Sequence, residues 1–121
     1  MKTSELTGIA LDWAVMKCEC AIPAAFKCIP ALLNGTVRGF RGDIGAYSEP
    51  VSPSTNWAHG GPIIEREGIC LWSEGYDWEA KIQTGAGQWL TEWAETPLIA
   101  AMRCYVASKL GDEVEIPEEL K

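Results

Sequence analysis

A chain of 121 residues with 47% hydrophobic and 22% charged residues has room for one hydrophobic core and enough apolar surface to fill it, which excludes a second independent domain and a disordered chain. The net charge of -7 is concentrated at the end: Asp112, Glu113, Glu115, Glu118 and Glu119 sit beside Lys121, leaving -3 on residues 1–111 (12 acids against nine bases), a body without the basic stripe that duplex nucleic acid requires. No run approaches the roughly 18 to 20 apolar residues of a membrane span, the first residues read as a capped helix and not a signal sequence, and five cysteines among apolar neighbours read as free thiols in a reduced, cytoplasmic compartment.

In chain order, Thr3 or Ser4 suits a helix N-cap, with Glu5 at the positive end of the dipole. Leu6, Ile9, Ala10, Trp13, Ala14 and Lys17 then recur at helical spacing, predicting a helix over about residues 4 to 19. Pro23, Pro30, Pro50, Pro53 and Pro62, with many glycines between them, interrupt regular structure. Ala31 to Leu33 reads as a short apolar segment closed by a turn at Asn34-Gly35, and most of residues 34 to 61 reads as loop. A loop of that length in a compact domain is either mobile or part of a site.

Pro62 after Gly60-Gly61, followed by Gly68, suggests a single helical turn that starts at the proline. Ile69 to Trp72, a turn at Ser73-Glu74-Gly75, and the alternating Tyr76 to Ile82 predict a β-hairpin. Gln88 to Glu95 fits a strand or a helical turn equally. The last element is clear: Thr96 as N-cap, Pro97 at the first position, an apolar face from Leu98 to Leu110, and Gly111 as the stop. The expected architecture is α+β. N-terminal and C-terminal helices pack on one small antiparallel sheet with a long Gly/Pro-rich central loop, in a single domain over residues 1–111, and an acidic tail, residues 112–121, trails along the surface.

Three segments, MKTSELTGIALDWAVMKCE, NWAHGGPIIEREGI and TPLIAAMRCYVASKLGDEVEIPEEL, resemble the phage NinX-like family of small accessory proteins encoded by lambdoid phages and prophages. The resemblance covers both ends and the centre, about half the chain. It implies a phage or prophage origin and action in the host bacterial cytoplasm, and it implies no particular activity. The family's central motif reads like STDWAQGGPIIERE, whereas this chain carries Asn56 and His59 at the Asp and Gln positions.

The best candidate site is Trp57-Ala58-His59-Gly60-Gly61-Pro62. Two glycines before a helical turn expose backbone amides to an anion at the positive end of a dipole. Trp57 offers a flat surface for a nucleobase, and Arg66 a bidentate grip on phosphate. The same residues also suit a plain turn with a core tryptophan. Trp72 or Tyr47 would add stacking, Asn56 would grip polar groups, and Arg103 would join if the last helix packed beside Trp57, its ordinary role being to pair with an acid or to snorkel.

Cys18-x-Cys20 with Cys28 invites a zinc reading, but the spacing lacks a partner pair, so neither a metal nor a cofactor is assigned. No nucleophile elbow, metal-hydrolase pair or Walker loop is present. These readings converge on a phage accessory protein that binds and sequesters a small nucleotide, such as a bacterial defence signal, without turnover. A homodimer or higher homo-oligomer would help enclose the ligand. The alternatives are a module that docks on a host protein through exposed tryptophans, and a small hydrolase using His59.

Overall fold

The computed structural model describes residues 1–22 and 28–121. It is α+β, with α1 (Gly8–Cys20), β1 (Ile29–Leu33), β2 (Thr36–Arg41), β3 (Ala46–Tyr47), α2 (Trp57–Glu67), β4 (Cys70–Glu74), β5 (Asp77–Gln83), β6 (Trp89–Ala94) and α3 (Pro97–Leu110) in chain order. Two antiparallel three-stranded sheets form, β1-β2-β3 and β4-β5-β6, where the sequence reading expected one. α3 packs on β5 and β6, α1 packs between α3 and the first sheet, and α2 lies against α3.

The central loop expected over residues 34 to 61 is corrected: it holds β2, β3 and the start of α2. Asn34 and Gly35 both adopt positive φ, 52° and 74°, the conformation of the tight turn that matches strand twist, and β1 and β2 pair across it with Leu33 opposite Thr36. Pro30 is tolerated because β1 is an edge strand of its sheet.

α1 begins at Gly8 and not near Ser4, because Thr3–Glu5 forms a separate 3-10 turn and Gly8 takes φ 56° at the junction, a conformation glycine adopts without strain. The buried face is correspondingly rotated to Ala10, Leu11, Ala14, Val15 and Cys18, leaving Ile9 exposed and Trp13 packed at the margin of the core.

α3 is the centre of the molecule. The Thr96 hydroxyl accepts from the Ile99 N–H at 3.2 Å, Pro97 occupies the first helical position, and Leu98 through Ala107 are buried apart from Arg103. A helix apolar nearly all round is one covered on several sides, here by α1, α2 and the second sheet. Each fully buried large side chain in it, such as Met102 or Val106, contributes about 1.5–3 kcal/mol of hydrophobic stabilisation.

Two further expectations change. Residues 112–121 do not trail: Val114 and Ile116 are buried in the core, while the Met1 ammonium donates to Val114 O at 3.1 Å and the Val114 N–H returns a bond to Met1 O at 2.9 Å. Alternation explains it, since Val114 and Ile116 point inward while Glu113 and Glu115 stay in water. Nor are all five thiols free, because Cys20 and Cys28 form a disulfide that joins the end of α1 to the residue before β1. Cys18, Cys70 and Cys104 are free, and burial pushes the Cys18 and Cys104 thiols up to about 12.

Candidate functional site

α2 starts earlier than the sequence reading placed it. The Asn56 side chain accepts from the Ala58 N–H at 2.8 Å, a standard N-cap contact, so the helix opens at Trp57 and takes Pro62 into its interior. Gly60 and Gly61 therefore lie within the helix. The Gly60 N–H donates to Asn56 O at 2.9 Å and is not offered to an anion. A Cβ at Gly60 would sit 2.5 Å from the Pro53 carbonyl oxygen and 2.7 Å from Leu98 Cδ2, so the glycine there permits close packing of α2 on α3 and the preceding segment.

Trp57 is 54% exposed. It lines a cavity of about 260 Å³ with Ser54, Thr55, Thr96 and Pro97, between the first turns of α2 and α3. Arg66 does not join it: nine residues along a helix is about two and a half turns, which places the two side chains on opposite faces.

Arg66 instead spans three helices. Its Nη1 and Nη2 donate to Glu19 Oε1 and Oε2 at 3.1 and 2.7 Å, its Nη2 reaches Tyr105 Oη at 3.1 Å, and its Nε donates to Glu67 Oε2 at 2.9 Å. The Tyr105 hydroxyl donates to Glu19 Oε2 at 2.6 Å, and Lys109 pairs with Glu67 at 3.3 Å. The Glu19 hydrogen bond holds Arg66 further above its ordinary range. Burial, reinforced by that same carboxylate, raises Tyr105. For Glu67 burial alone would raise the carboxyl, but Arg66 and Lys109 outweigh it and hold the group below the usual range.

Glu19 faces two adjoining cavities. One, about 230 Å³, is bounded by Met16, Glu19, Val51, Pro53, His59 and Ile63. The other, about 340 Å³, carries Met16, Glu19, Arg41, Ile44, Tyr47 and Ser48 on its walls. Together they make a groove from the β2–β3 end of the first sheet, past the end of α1, to the side of α2. Tyr47 is half-exposed there and packs on Phe40 with ring centroids 4.8 Å apart. Arg41 holds Asp43 through an exposed pair at 2.8 Å.

His59 is oriented by its backbone neighbourhood: the Ser52 N–H donates to His59 Nδ1 at 3.0 Å. That bond uses the Nδ1 lone pair. Beneath it Asp12 is buried and accepts from the Ser54 N–H at 2.8 Å. Burial raises the Asp12 carboxyl, and the Ser54 bonds oppose that rise.

Of the nine residues picked from the sequence, Tyr47 and His59 line the groove, and Arg66 reaches it through Glu19. Asn56, Trp57, Gly60 and Gly61 build the start of α2. Trp72 lies on the far sheet, with Lys81 Nζ 5.1 Å from its ring. Arg103 is elsewhere too, donating to Leu6 O at 2.8 Å and to Trp93 O at 2.9 Å, its pKa lowered by burial. Glu19 and Arg41 were missed: one reads as an ordinary helix-end acid, the other as part of a glycine-rich turn. The zinc alternative, not adopted from the sequence, is closed to Cys20 and Cys28 by their disulfide, and among the described residues no cluster of three or more His, Cys, Asp and Glu could hold a metal ion.

The groove residues from Met16 to Arg66 all fall within the match of this chain to a family model, described as Bacteriophage P22, NinX, over residues 2–109. The chain belongs to the NinX family. NinX membership makes it a phage protein, and the matched region takes in every α-helix and strand named above but the last residue of α3. No curated protein matches it. No helix among the described residues of this NinX-family protein is long and apolar enough to cross a membrane.

Proposed function

We propose that this phage accessory protein binds a small nucleotide in the groove between α1, α2 and the first sheet, and holds it without turnover. A signalling nucleotide produced by a bacterial defence system in the host cytoplasm is the ligand class in view. One observation carries the reading: Tyr47, Arg41 and Glu19 line a single cavity of about 340 Å³, a size suited to a small ligand.

The chemistry suits the parts of a nucleotide. The exposed Tyr47 ring, backed by Phe40, is a stacking platform, and such contacts contribute about 1–3 kcal/mol per base. Arg41, which holds Asp43 at 2.8 Å, lines this cavity and carries the fork geometry for a bidentate grip on phosphate. Glu19 can accept from ribose hydroxyls or an exocyclic amine, its charge already balanced by Arg66. His59 lines the adjoining cavity with its Nδ1 engaged by the Ser52 N–H, so that lone pair is not offered to a substrate, which supports binding over hydrolysis.

Titration calorimetry with a panel of linear and cyclic nucleotides tests the reading. Binding of at least one, followed by recovery of that nucleotide intact after denaturation, is expected. Absence of any binding contradicts it, and recovery of a cleaved product replaces it with the hydrolase reading. A host-protein docking module is the second reading, favoured by Trp57, Trp89 and Trp93, each more than half exposed and none of them in the groove.

A further inference from the structure

The face of the second sheet turned away from α3 carries an unusual row of side chains. Residues alternate between faces along a strand, and on β5 the buried Ala80 and Ile82 point inward, so Asp77, Glu79, Lys81 and Gln83 point outward. The register then places Trp72 and Trp93 on either side of Glu79, and Cys70 and Thr91 on either side of Lys81, with Trp89 beside Gln83. Trp89 and Trp93 are 54% and 55% exposed. Large apolar groups gathered on one face mark an interaction surface more often than a solvated one.

We infer that this face binds a second copy of the same chain, face to face, about a two-fold axis. The face is self-complementary. Let the axis lie in the interface, across the strands, midway between the Glu79 and Lys81 rows. Each Glu79 then lies opposite Lys81 of the second copy, twice by symmetry. The same operation sets Trp72 over Cys70 and Trp93 over Thr91, so these two rings each meet a small residue, and Gln83 lies opposite Asp77, with Trp89 toward the rim. Charge and size match in one arrangement. An axis along the strands would instead oppose Lys81 to Lys81 and tryptophan row to tryptophan row.

Within one chain Lys81 Nζ is 3.6 Å from Glu79 and 5.1 Å from the Trp72 ring centroid, with the Lys81 side chain 38% and the Glu79 side chain 13% exposed, so the lysine stands over this face beside a carboxylate set between the flanking rings. Sheets packed face to face keep their strands within about 30° of alignment, which preserves these oppositions near the axis. The surface lies on a different sheet from the groove, so self-association through it neither needs nor blocks a ligand there.

Sedimentation equilibrium on the full chain and on charge-reversed variants decides the matter. The wild-type chain is expected to form a dimer at micromolar concentration. Glu79→Lys and Lys81→Glu should each weaken it by about tenfold or more, because like charges then face each other twice. An equimolar mixture of the two variants should restore a dimer of one copy each, which a mere folding defect would not do. Thr91→Arg, which fills the socket for Trp93, should also weaken it and stands in if either reversal fails to fold. A monomeric wild type, a dimer indifferent to these changes, or variants that do not recover on mixing would overturn the inference.

Discussion

Glu19, in the last turn of α1, and Arg66, in the last turn of α2, meet through both carboxylate oxygens at 3.1 and 2.7 Å. Tyr105 of the central helix closes the triangle by bonding to each. The three helices are thus tied at the point where the groove passes, so one cluster both orders the fold and sets the electrostatics of the candidate site. Replacing Arg66 by Met strips Tyr105 and Glu19 of a partner. Because the pair is partly in water, the expected loss is modest, about 1–2 kcal/mol, read as a lower urea midpoint with unchanged slope.

Gly60 and Gly61 are adjacent but respond oppositely to alanine. At Gly60 the new methyl meets a backbone carbonyl and Leu98, and an overpacked core site costs about 1–3 kcal/mol. At Gly61 the nearest heavy atom is Trp57 Cε3 at 4.0 Å, so the gain in helix propensity, about 0.5–1 kcal/mol, is realised. Thermal melts should show Gly60→Ala falling and Gly61→Ala rising.

Acid stability has two opposed contributions. The Glu67 carboxyl is held low in the folded chain by Arg66 and Lys109, so its contribution is present above the unfolded value of about 4.3 and is lost as pH falls through the folded one. Asp12 is raised by burial, so its charge disfavours folding, and that penalty is relieved as pH falls. Glu67→Gln should therefore flatten the acid side of the stability curve, measured by urea unfolding at stepped pH. Asp12→Asn should make that side steeper.

Thiol reactivity separates the five cysteines. Under conditions where the chain is monomeric, Cys70, exposed and free, is expected to alkylate first. Cys18 and Cys104 are buried and pushed up to about 12, and Cys20 and Cys28 are held in the disulfide. Mass spectrometry should find one fast label on the native chain and two more only after unfolding; fast labelling of Cys18 or Cys104 contradicts the packing around α1 and α3.

Local signals carried α3 well, since Thr96, Pro97 and Gly111 mark its ends in sequence as they do in space. The β4–β5 hairpin was legible from its alternation, although its turn falls at Gly75-Tyr76 and not at Ser73-Glu74-Gly75, since Ser73 and Glu74 pair with Trp78 and Asp77. The first sheet was hidden because Gly39, Gly42 and Gly45 imitate a loop, although the Asn34-Gly35 pair was itself a hairpin signal. α2 was misplaced by reading Pro62 as a helix start when Asn56 was the cap. In the tail, Val114 and Ile116 between acids spelled a half-buried strand pattern that the charge count obscured. The groove was least legible: Tyr47 and His59 stood out as residue types, but Glu19 and Arg41 acquire meaning only when α1 lies across β2, a long-range contact with no local trace.

The groove either holds a nucleotide or it does not. Titration calorimetry comparing wild type with Tyr47→Ala, Arg41→Ala and Trp72→Ala, using whichever nucleotide of the panel binds, tests this most directly. Loss of one stacking or phosphate contact is expected to weaken binding by about tenfold for Tyr47→Ala and for Arg41→Ala, with Trp72→Ala unchanged. Binding that survives both groove variants, or that fails only with Trp72→Ala, would contradict it.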